Sequence, residues 1–115
     1  MKSFIRIMKA LSDPNRVRVL KLLQTKELCV CEIQEFLQLA QSTVSKHMKI
    51  LEDAGLVDRE RRGSWIIYQL SNTDRSGYEA ELLALLEGWL DDDKELQEMR
   101  LNWETVLKNT KTCKK

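Results

Sequence analysis

The sequence of 115 residues lacks several features that would place it in other protein classes. Glycine (4 residues) and proline (1 residue) are scarce, which favours helices over an all-β fold. No apolar run approaches the length of about 18 residues that a membrane span needs. The first residues lack the apolar core and cleavage site of a secretion signal, and three cysteines do not suggest a disulfide framework. We therefore expect a cytoplasmic protein with no membrane segment.

Neither sign of charge dominates the chain, since 19 Lys and Arg residues face 18 Asp and Glu residues. The distribution is uneven: residues 1–73 carry 12 basic and 8 acidic residues, and residues 74–115 carry 7 and 10. Only the first part is therefore suited to contact a polyanion. With 43% hydrophobic residues the chain is not of the disordered class. We predict a single domain over residues 1–115, with residues 108–115 as a frayed tail.

Helical periodicity and capping signals organise the first half of the chain. A first short helix is predicted by apolar residues at helical spacing, namely Phe4, Ile7, Met8 and Leu11. Asp13 and Pro14 suit the N-cap and first position of a second helix that runs to about Gln24. After a connection over residues 25–28, we predict a short helix over residues 30–37, with Ile33, Phe36 and Leu37 facing inward.

A helix over residues 41–53 follows a brief turn at residues 38–40. Val44, Met48 and Leu51 form its inward stripe, and Gly55 follows at a position typical of a helix end. The other face is polar and bears two lysines. Because Ala40 is a poor N-cap, we expect Gln41 or Ser42 to serve instead.

Two strands are predicted next, over residues 56–61 and 64–70, because the second alternates apolar side chains between two faces. Arg62 and Gly63 supply the tight turn between them. Residues 76–107 return to helical periodicity as one or two helices, with Asp92 and Glu95 as a candidate capping box.

This order of elements predicts a mostly α fold with a small β-hairpin, the winged helix-turn-helix. The polar face of the helix over residues 41–53 suits the DNA major groove, where side chains reach base edges and phosphates. Three arginines lie on or beside the hairpin tip and can contact the flanking DNA backbone, namely Arg59, Arg61 and Arg62.

Four stretches in this order resemble the ArsR-type (ArsR/SmtB) metalloregulatory repressors. They are ALSDPNRVRVLKLL at residues 10–23, ELCVCEI at 27–33, QSTVSKHMKILEDAGLV at 41–57 and RRGSWIIYQL at 61–70. The second stretch resembles the thiolate site of the arsenite-sensing branch, the third its DNA-reading helix and the fourth its wing. Outside residues 10–70 the resemblance is one of helix character.

The resemblance implies a homodimeric repressor that binds a two-fold operator in double-stranded DNA, with the first and last helices forming the dimer contact. Metal or metalloid binding then releases the DNA. The DNA-binding residues implied by the motif are Gln41, Ser42, Thr43, Ser45, Lys46, His47 and Lys49 on the helix, with Arg59, Arg61 and Arg62 on the hairpin. The metalloid ligands implied are Cys29 and Cys31, with arsenite or antimonite as inducer.

Cys29 and Cys31 are the candidate ion-binding residues of the chain, because soft thiolates select thiophilic ions. On a regular helix, side chains two residues apart point about 200° apart, so one small ion cannot join both sulfurs without distortion. A position at a helix start would favour the thiolate, since unpaired amides there lower the pKa of a thiol. Some relatives carry a third cysteine where Gln34 stands here, which leaves Cys113 as the remaining candidate third ligand.

Other interpretations remain open. A repressor of the same family that senses another thiophilic metal, or oxidation of the dithiol, would use the same cysteines. A redox enzyme would need a βαβ context that is absent, and no phosphate loop or nucleophile–His arrangement is recognisable. We therefore predict that the chain is not an enzyme. A module that binds protein rather than DNA is a further alternative, and a histidine-based zinc site is disfavoured because His47 is the single histidine.

Overall fold

The computed structural model describes residues 1–71 and 77–109. The described chain is mostly helical and carries one small antiparallel sheet. In chain order its elements are α1 (Lys2–Ala10), α2 (Pro14–Leu23), β1 (Leu28–Cys29), α3 (Val30–Leu37), α4 (Gln41–Asp53), β2 (Val57–Arg62), β3 (Trp65–Leu70), α5 (Tyr78–Leu86), α6 (Lys94–Leu101) and α7 (Trp103–Asn109). Within these ranges no helix has both the length and the apolar character needed to cross a bilayer.

The predicted winged helix-turn-helix is confirmed by α2, α3, α4 and the hairpin that follows. Asp13 caps α2, since its Oδ1 accepts hydrogen bonds from the amides of Asn15 (2.8 Å) and Arg16 (3.4 Å), and Pro14 is the first helical residue. Gln38 takes the left-handed conformation (φ 56°) at the end of α3. Gly55 does the same beyond α4 (φ 79°), as its position predicts.

The sheet has the order β1-β3-β2, with both pairings antiparallel. The predicted hairpin is confirmed, but both strands begin one residue later than expected, so Gly63 (φ 64°) and Ser64 form the turn. β1 was expected to belong to a connection. It has two residues, and Cys29 pairs with Ile67. Such a short strand shows no periodicity of its own, so only its pairing with β3 defines it.

The core lies where the inner faces of the helices meet the sheet. Val44, Met48 and Leu51 of α4 are fully buried, and Ile33, Phe36 and Leu37 of α3 are buried beside them. Both predicted stripes are therefore confirmed. Because α4 contacts the core through this one stripe, its opposite face is left to solvent.

Three helices occupy the region where one or two were expected. α6 is capped by Asp93 rather than Asp92, since an Asp93 carboxylate oxygen accepts a hydrogen bond from the Leu96 amide (3.0 Å). α7 packs on α3 through Phe36 and Trp103, whose ring centroids lie 4.9 Å apart. It reaches Asn109, inside the expected tail, and Cys113 lies outside the described residues.

A buried lysine joins α2 to the C-terminal helices. The Lys21 side chain is fully buried, and its Nζ donates to the Leu86 carbonyl (2.7 Å) and to Asp91 Oδ1 (3.1 Å). The Leu86 carbonyl is at the end of α5, where a positive charge is favourable. Arg18 of α2 forms a second ion pair, with Glu95 of α6.

Candidate effector site and nucleic-acid interface

The two neighbouring cysteines lie at the start of α3, in different backbone conformations. Cys29 ends β1 and is the N-cap of α3, with extended backbone (φ −86°, ψ 167°), whereas Cys31 is the second helical residue. Cys29 is 5% exposed and Cys31 is half-buried. The two cysteines therefore lie at a helix start, the position at which the sequence analysis expected the thiolate to be favoured.

The backbone of Cys29 is held from two sides. It pairs with Ile67 of β3, and its amide donates to Glu32 Oε1 at 3.0 Å. Glu32 is 1% exposed and forms a capping box with Cys29. The sequence analysis did not identify Glu32. The signal for it was a glutamate three residues after the N-cap residue, which is the spacing of a capping box. Binding at the sulfurs must therefore act on a backbone segment that is fixed in place.

A cleft of about 360 Å³ is lined by both cysteines. Its walls come from α3, the first residue of α4 and the turn and start of β3, namely Cys29, Val30, Cys31, Gln41, Ser64, Trp65 and Ile66. A group bound in this cleft would touch both the DNA-reading helix of the motif and its wing.

The donor set of this site suits soft ions, because both candidate ligands are thiols. In the ranges 1–71 and 77–109, no group of three or more His, Cys, Asp or Glu side chains is arranged to hold a metal. Cys29 and Cys31 are thus the two soft donors that the candidate site offers to a thiophilic ion. The role of Cys113 stays a prediction.

The polar face of α4 is open to solvent over its whole length. The exposed residues on it are Gln41, Ser42, Thr43, Ser45, Lys46 and Lys49. Ala40 is the N-cap of α4, and neither Gln41 nor Ser42 replaces it as we had expected. Because no side chain of the described residues caps this end, the first amides of α4 can bind a phosphate.

His47 is half-buried and contacts α2. Its Nδ1 lies 3.1 Å from Arg16 Nη1. Since a guanidinium can only donate, Nδ1 must be the acceptor and the neutral ring carries its proton on Nε2. Arg16 also donates to the carbonyls of Ala10 (2.7 Å) and Lys9 (3.2 Å). His47 therefore helps to fix α4 against α1 and α2, whatever else its Nε2 contacts.

The structure divides the predicted DNA-contacting cations into two groups. Lys49 pairs with Asp53 (3.2 Å) on its own helix. Arg62 makes a bidentate ion pair with Glu27, since its Nη1 and Nη2 donate to the two carboxylate oxygens at 2.5 and 3.0 Å. Its Nη2 also donates to Glu60 Oε2 at 2.8 Å. These carboxylates raise the pKa of Arg62 above its ordinary value.

The second group of cations has no carboxylate partner among the residues described. Lys46 and Arg59 are exposed, and Arg61 is exposed with its Nε donating to the Gly63 carbonyl at 3.1 Å. The pairing of Arg62 could not be read from the sequence, because its partner Glu27 is 35 residues away. The pairing of Lys49 has a local signal, since Asp53 is four residues further along the same helix. Only the second group presents an unpaired positive charge to solvent.

Comparison with known proteins shows which sequences and family model this chain resembles. Residues 13–59 match the model of the bacterial regulatory protein arsR family. The chain is 44% identical over 71 residues to an arsenical resistance operon repressor of Staphylococcus xylosus, covering 62% of this chain and 68% of that one. A repressor of the same description from Bacillus subtilis is 37% identical over 79 residues, covering 68% and 75%.

Solved structures agree with the fold. The homodimeric winged helix-turn-helix DNA-binding domain from Mycobacterium bovis superimposes with a TM-score of 0.67 at 28% sequence identity. The superposition covers 79% of this chain and 81% of that domain.

Proposed function

The chain belongs to the arsR family of bacterial regulatory proteins, and from this membership we propose that it is a DNA-binding transcriptional repressor. A homodimer binds double-stranded operator DNA and leaves it when trivalent arsenic or antimony binds Cys29 and Cys31. We infer a cytoplasmic protein, because a repressor must reach its operator DNA and thiols stay reduced in that compartment. The arsenical resistance operon repressors among its relatives support this choice of inducer.

We assign α4 to the major groove, because its exposed polar face is opposite its buried stripe. Base contacts come from the residues named by the motif, Gln41, Ser42, Thr43, Ser45, Lys46 and His47. Arg59 and Arg61 contact the phosphate backbone. Lys49 and Arg62 contribute less, since each already pairs with a carboxylate.

The first and last helices were expected to form the dimer contact. We place it on α1 and on α5, the first of the three helices that occupy the region where the last helix was expected. Apolar side chains of these two helices are exposed, namely Phe4 (37%), Ile5 (42%), Tyr78 (54%) and Leu85 (50%). Phe4 and Tyr78 are in edge-to-face contact with ring centroids 5.4 Å apart, so the two helices present one surface. The homodimeric Mycobacterium bovis structure supports a homodimer. The two α4 helices would then enter successive major grooves about 34–36 Å apart.

Release follows from the geometry at the start of α3. An arsenic atom joined to both sulfurs must draw together one side chain on extended backbone and one on the first helical turn. That movement distorts the start of α3, which leads through residues 38–40 directly into α4. Gln41 lies in the wall of the same cleft, so α4 is also touched directly. This cleft is the observation that carries the proposal.

Fluorescence anisotropy of labelled DNA from upstream of the protein's own gene tests the proposal. Wild-type protein should bind this DNA and release it on addition of arsenite. Cys29→Ser and Cys31→Ser should bind DNA equally well and remain bound in arsenite, because each lacks one of the two sulfurs. Cys113→Ser, which removes the remaining thiol, tests the predicted third ligand in the same assay.

Two results would contradict the proposal. If both cysteine variants still release DNA in arsenite, the inducer binds elsewhere. If wild-type protein ignores arsenite but responds to cadmium or to a thiol oxidant, the chain is the alternative repressor that senses another metal or dithiol oxidation.

A further inference from the structure

We propose that α1 carries a second DNA-contacting surface, which binds the sugar-phosphate backbone at the centre of the operator, between the two half-sites. This surface consists of Lys2, Arg6 and Lys9, and we call it the α1 basic stripe. The inference rests on the proposed function, since it needs a dimer that binds operator DNA. It adds a surface to that function, because the DNA-binding residues implied by the motif all belong to α4 and the wing.

The charge of α1 is the first argument. The helix carries three cations and no acidic residue. All three side chains are exposed, and none of them forms an ion pair within residues 1–71 and 77–109. The α1 basic stripe therefore resembles the unpaired cations of α4 and the wing, and differs from Lys49 and Arg62, which are paired.

The three cations share one side of the helix. At about 100° per residue they lie within about 60° of one another, and they border a groove of about 330 Å³. Phe4, which contacts α5, lies about 140–160° away around the helix. Ile5 lies between these two sides and also lines the groove. The cations are therefore turned away from the Phe4 side of the proposed dimer contact.

One guanidinium connects the α1 basic stripe to the DNA-reading helix. Arg16 donates to the Lys9 carbonyl (3.2 Å) and contacts His47 Nδ1 (3.1 Å). The end of α1 is therefore fixed beside α4. Because α1 also belongs to the proposed dimer contact, it lies between α4 and the two-fold axis. The DNA at that position is the operator centre, which separates the two major grooves that the α4 helices enter.

Phosphate is the partner that suits these cations. Lys and Arg neutralise DNA phosphates and release counterions without reading the base sequence. The helix rises about 10 Å from Lys2 to Lys9, and one DNA strand carries a phosphate about every 3.4 Å along its axis. The competing partner is the acidic first turn of α5 in the second copy, with Glu79 and Glu81. The link through Arg16 to α4 favours DNA.

Two double variants with the same change in charge test the inference, by anisotropy at several salt concentrations. Arg6→Gln/Lys9→Gln removes two cations of the α1 basic stripe, and Lys94→Gln/Lys108→Gln removes two exposed lysines of α6 and α7. A dimer of the first variant loses four phosphate contacts, so the slope of log affinity against log salt should fall by about 3.6. The control variant should keep a slope near that of wild type. Equal slopes for the two variants would overturn the inference.

Neutral methylphosphonates in the operator DNA locate the contact on the wild-type protein, and this measurement needs no folded variant. Placed at the operator centre, which footprinting defines, they should weaken wild-type binding and leave binding of Arg6→Gln/Lys9→Gln unchanged. The inference is wrong if wild-type affinity does not fall. It is also wrong if Arg6→Gln/Lys9→Gln keeps the wild-type salt slope but forms a weaker dimer in sedimentation without DNA, since the cations would then pair with α5 of the second copy. Failure of the proposed function looks different, because wild-type protein would then not bind the upstream DNA at all.

Discussion

Neutralising Lys46 should flatten the salt dependence of DNA binding, whereas neutralising Lys49 should not. Both lysines are exposed on α4, but Lys49 is paired with Asp53 at 3.2 Å. The logarithm of DNA affinity falls with the logarithm of salt concentration by about 0.9 per phosphate contact. We count the charge of Lys46 as neutralising one phosphate in the groove in addition to its base contact. Because a dimer then loses two neutralised phosphates, Lys46→Gln should reduce this slope by about 1.8.

That change is large enough to measure. Between about 50 and 200 mM salt, a slope smaller by about 1.8 means that the variant loses about 12-fold less affinity than wild type over this range. Anisotropy titrations at several salt concentrations give the slopes directly. On the wing, Arg61→Gln and Arg62→Gln form a second matched pair, since Glu27 already binds Arg62. Equal slopes for Lys46→Gln and Lys49→Gln, or for the two arginine variants, would refute the division into paired and unpaired cations.

Three further predictions concern stability and the wing. Leu51→Ala, at a fully buried position of α4, should cost about 3 kcal/mol in urea unfolding, whereas exposed Ile50→Ala should cost under about 0.5 kcal/mol; equal losses would contradict the assigned faces. Glu27→Gln should raise DNA affinity by releasing Arg62, and an equal rise in an Arg62→Gln background would show that the ion pair is not the cause. Burial raises the pKa of Tyr68, so its neutral phenol stabilises the folded state fully below about pH 10, and this stabilisation is lost as the pH rises through the raised pKa of the folded protein. The free energy of unfolding of Tyr68→Phe, measured against pH alongside wild type, should lack this alkaline decrease.

Local signals explain why α2, α3 and α4 were predictable. Asp13 and Pro14 mark the start of α2 through a hydrogen bond and a fixed φ angle that involve only neighbouring residues. Val44, Met48 and Leu51 repeat at the helical period and are all fully buried in α4. In such segments, the side chains that set the element also face the core, so the sequence pattern and the packing agree.

Long-range contacts explain what the sequence could not predict. Nothing near Lys21 marks it as buried, because its partners Leu86 and Asp91 are 65 and 70 residues away. Likewise, the two residues of β1 become a strand only by pairing with β3, whose residues follow about 40 positions later in the chain. The same limit applies to the cations, since the partner of Arg62 is Glu27, two residues before Cys29.

In the candidate site, the cysteines were identifiable from their spacing and their chemistry. Their surroundings were not, because Trp65 and Gln41 reach the same cleft from two other elements. Glu32 could be predicted only in part. Its distance of three residues from Cys29 fits a capping box, but a cysteine is not the usual residue at the N-cap.

The central claim is that metalloid binding at the two sulfurs and DNA binding by α4 oppose each other. Thermodynamic linkage makes the opposition reciprocal, with coupling typically about 5- to 150-fold. The direct measurement is the arsenite affinity of the protein, free and saturated with operator DNA, followed by thiolate–arsenic absorbance. The account predicts that DNA weakens arsenite binding by the same factor by which arsenite weakens DNA binding. Equal arsenite affinities for the free and the DNA-bound protein would contradict it.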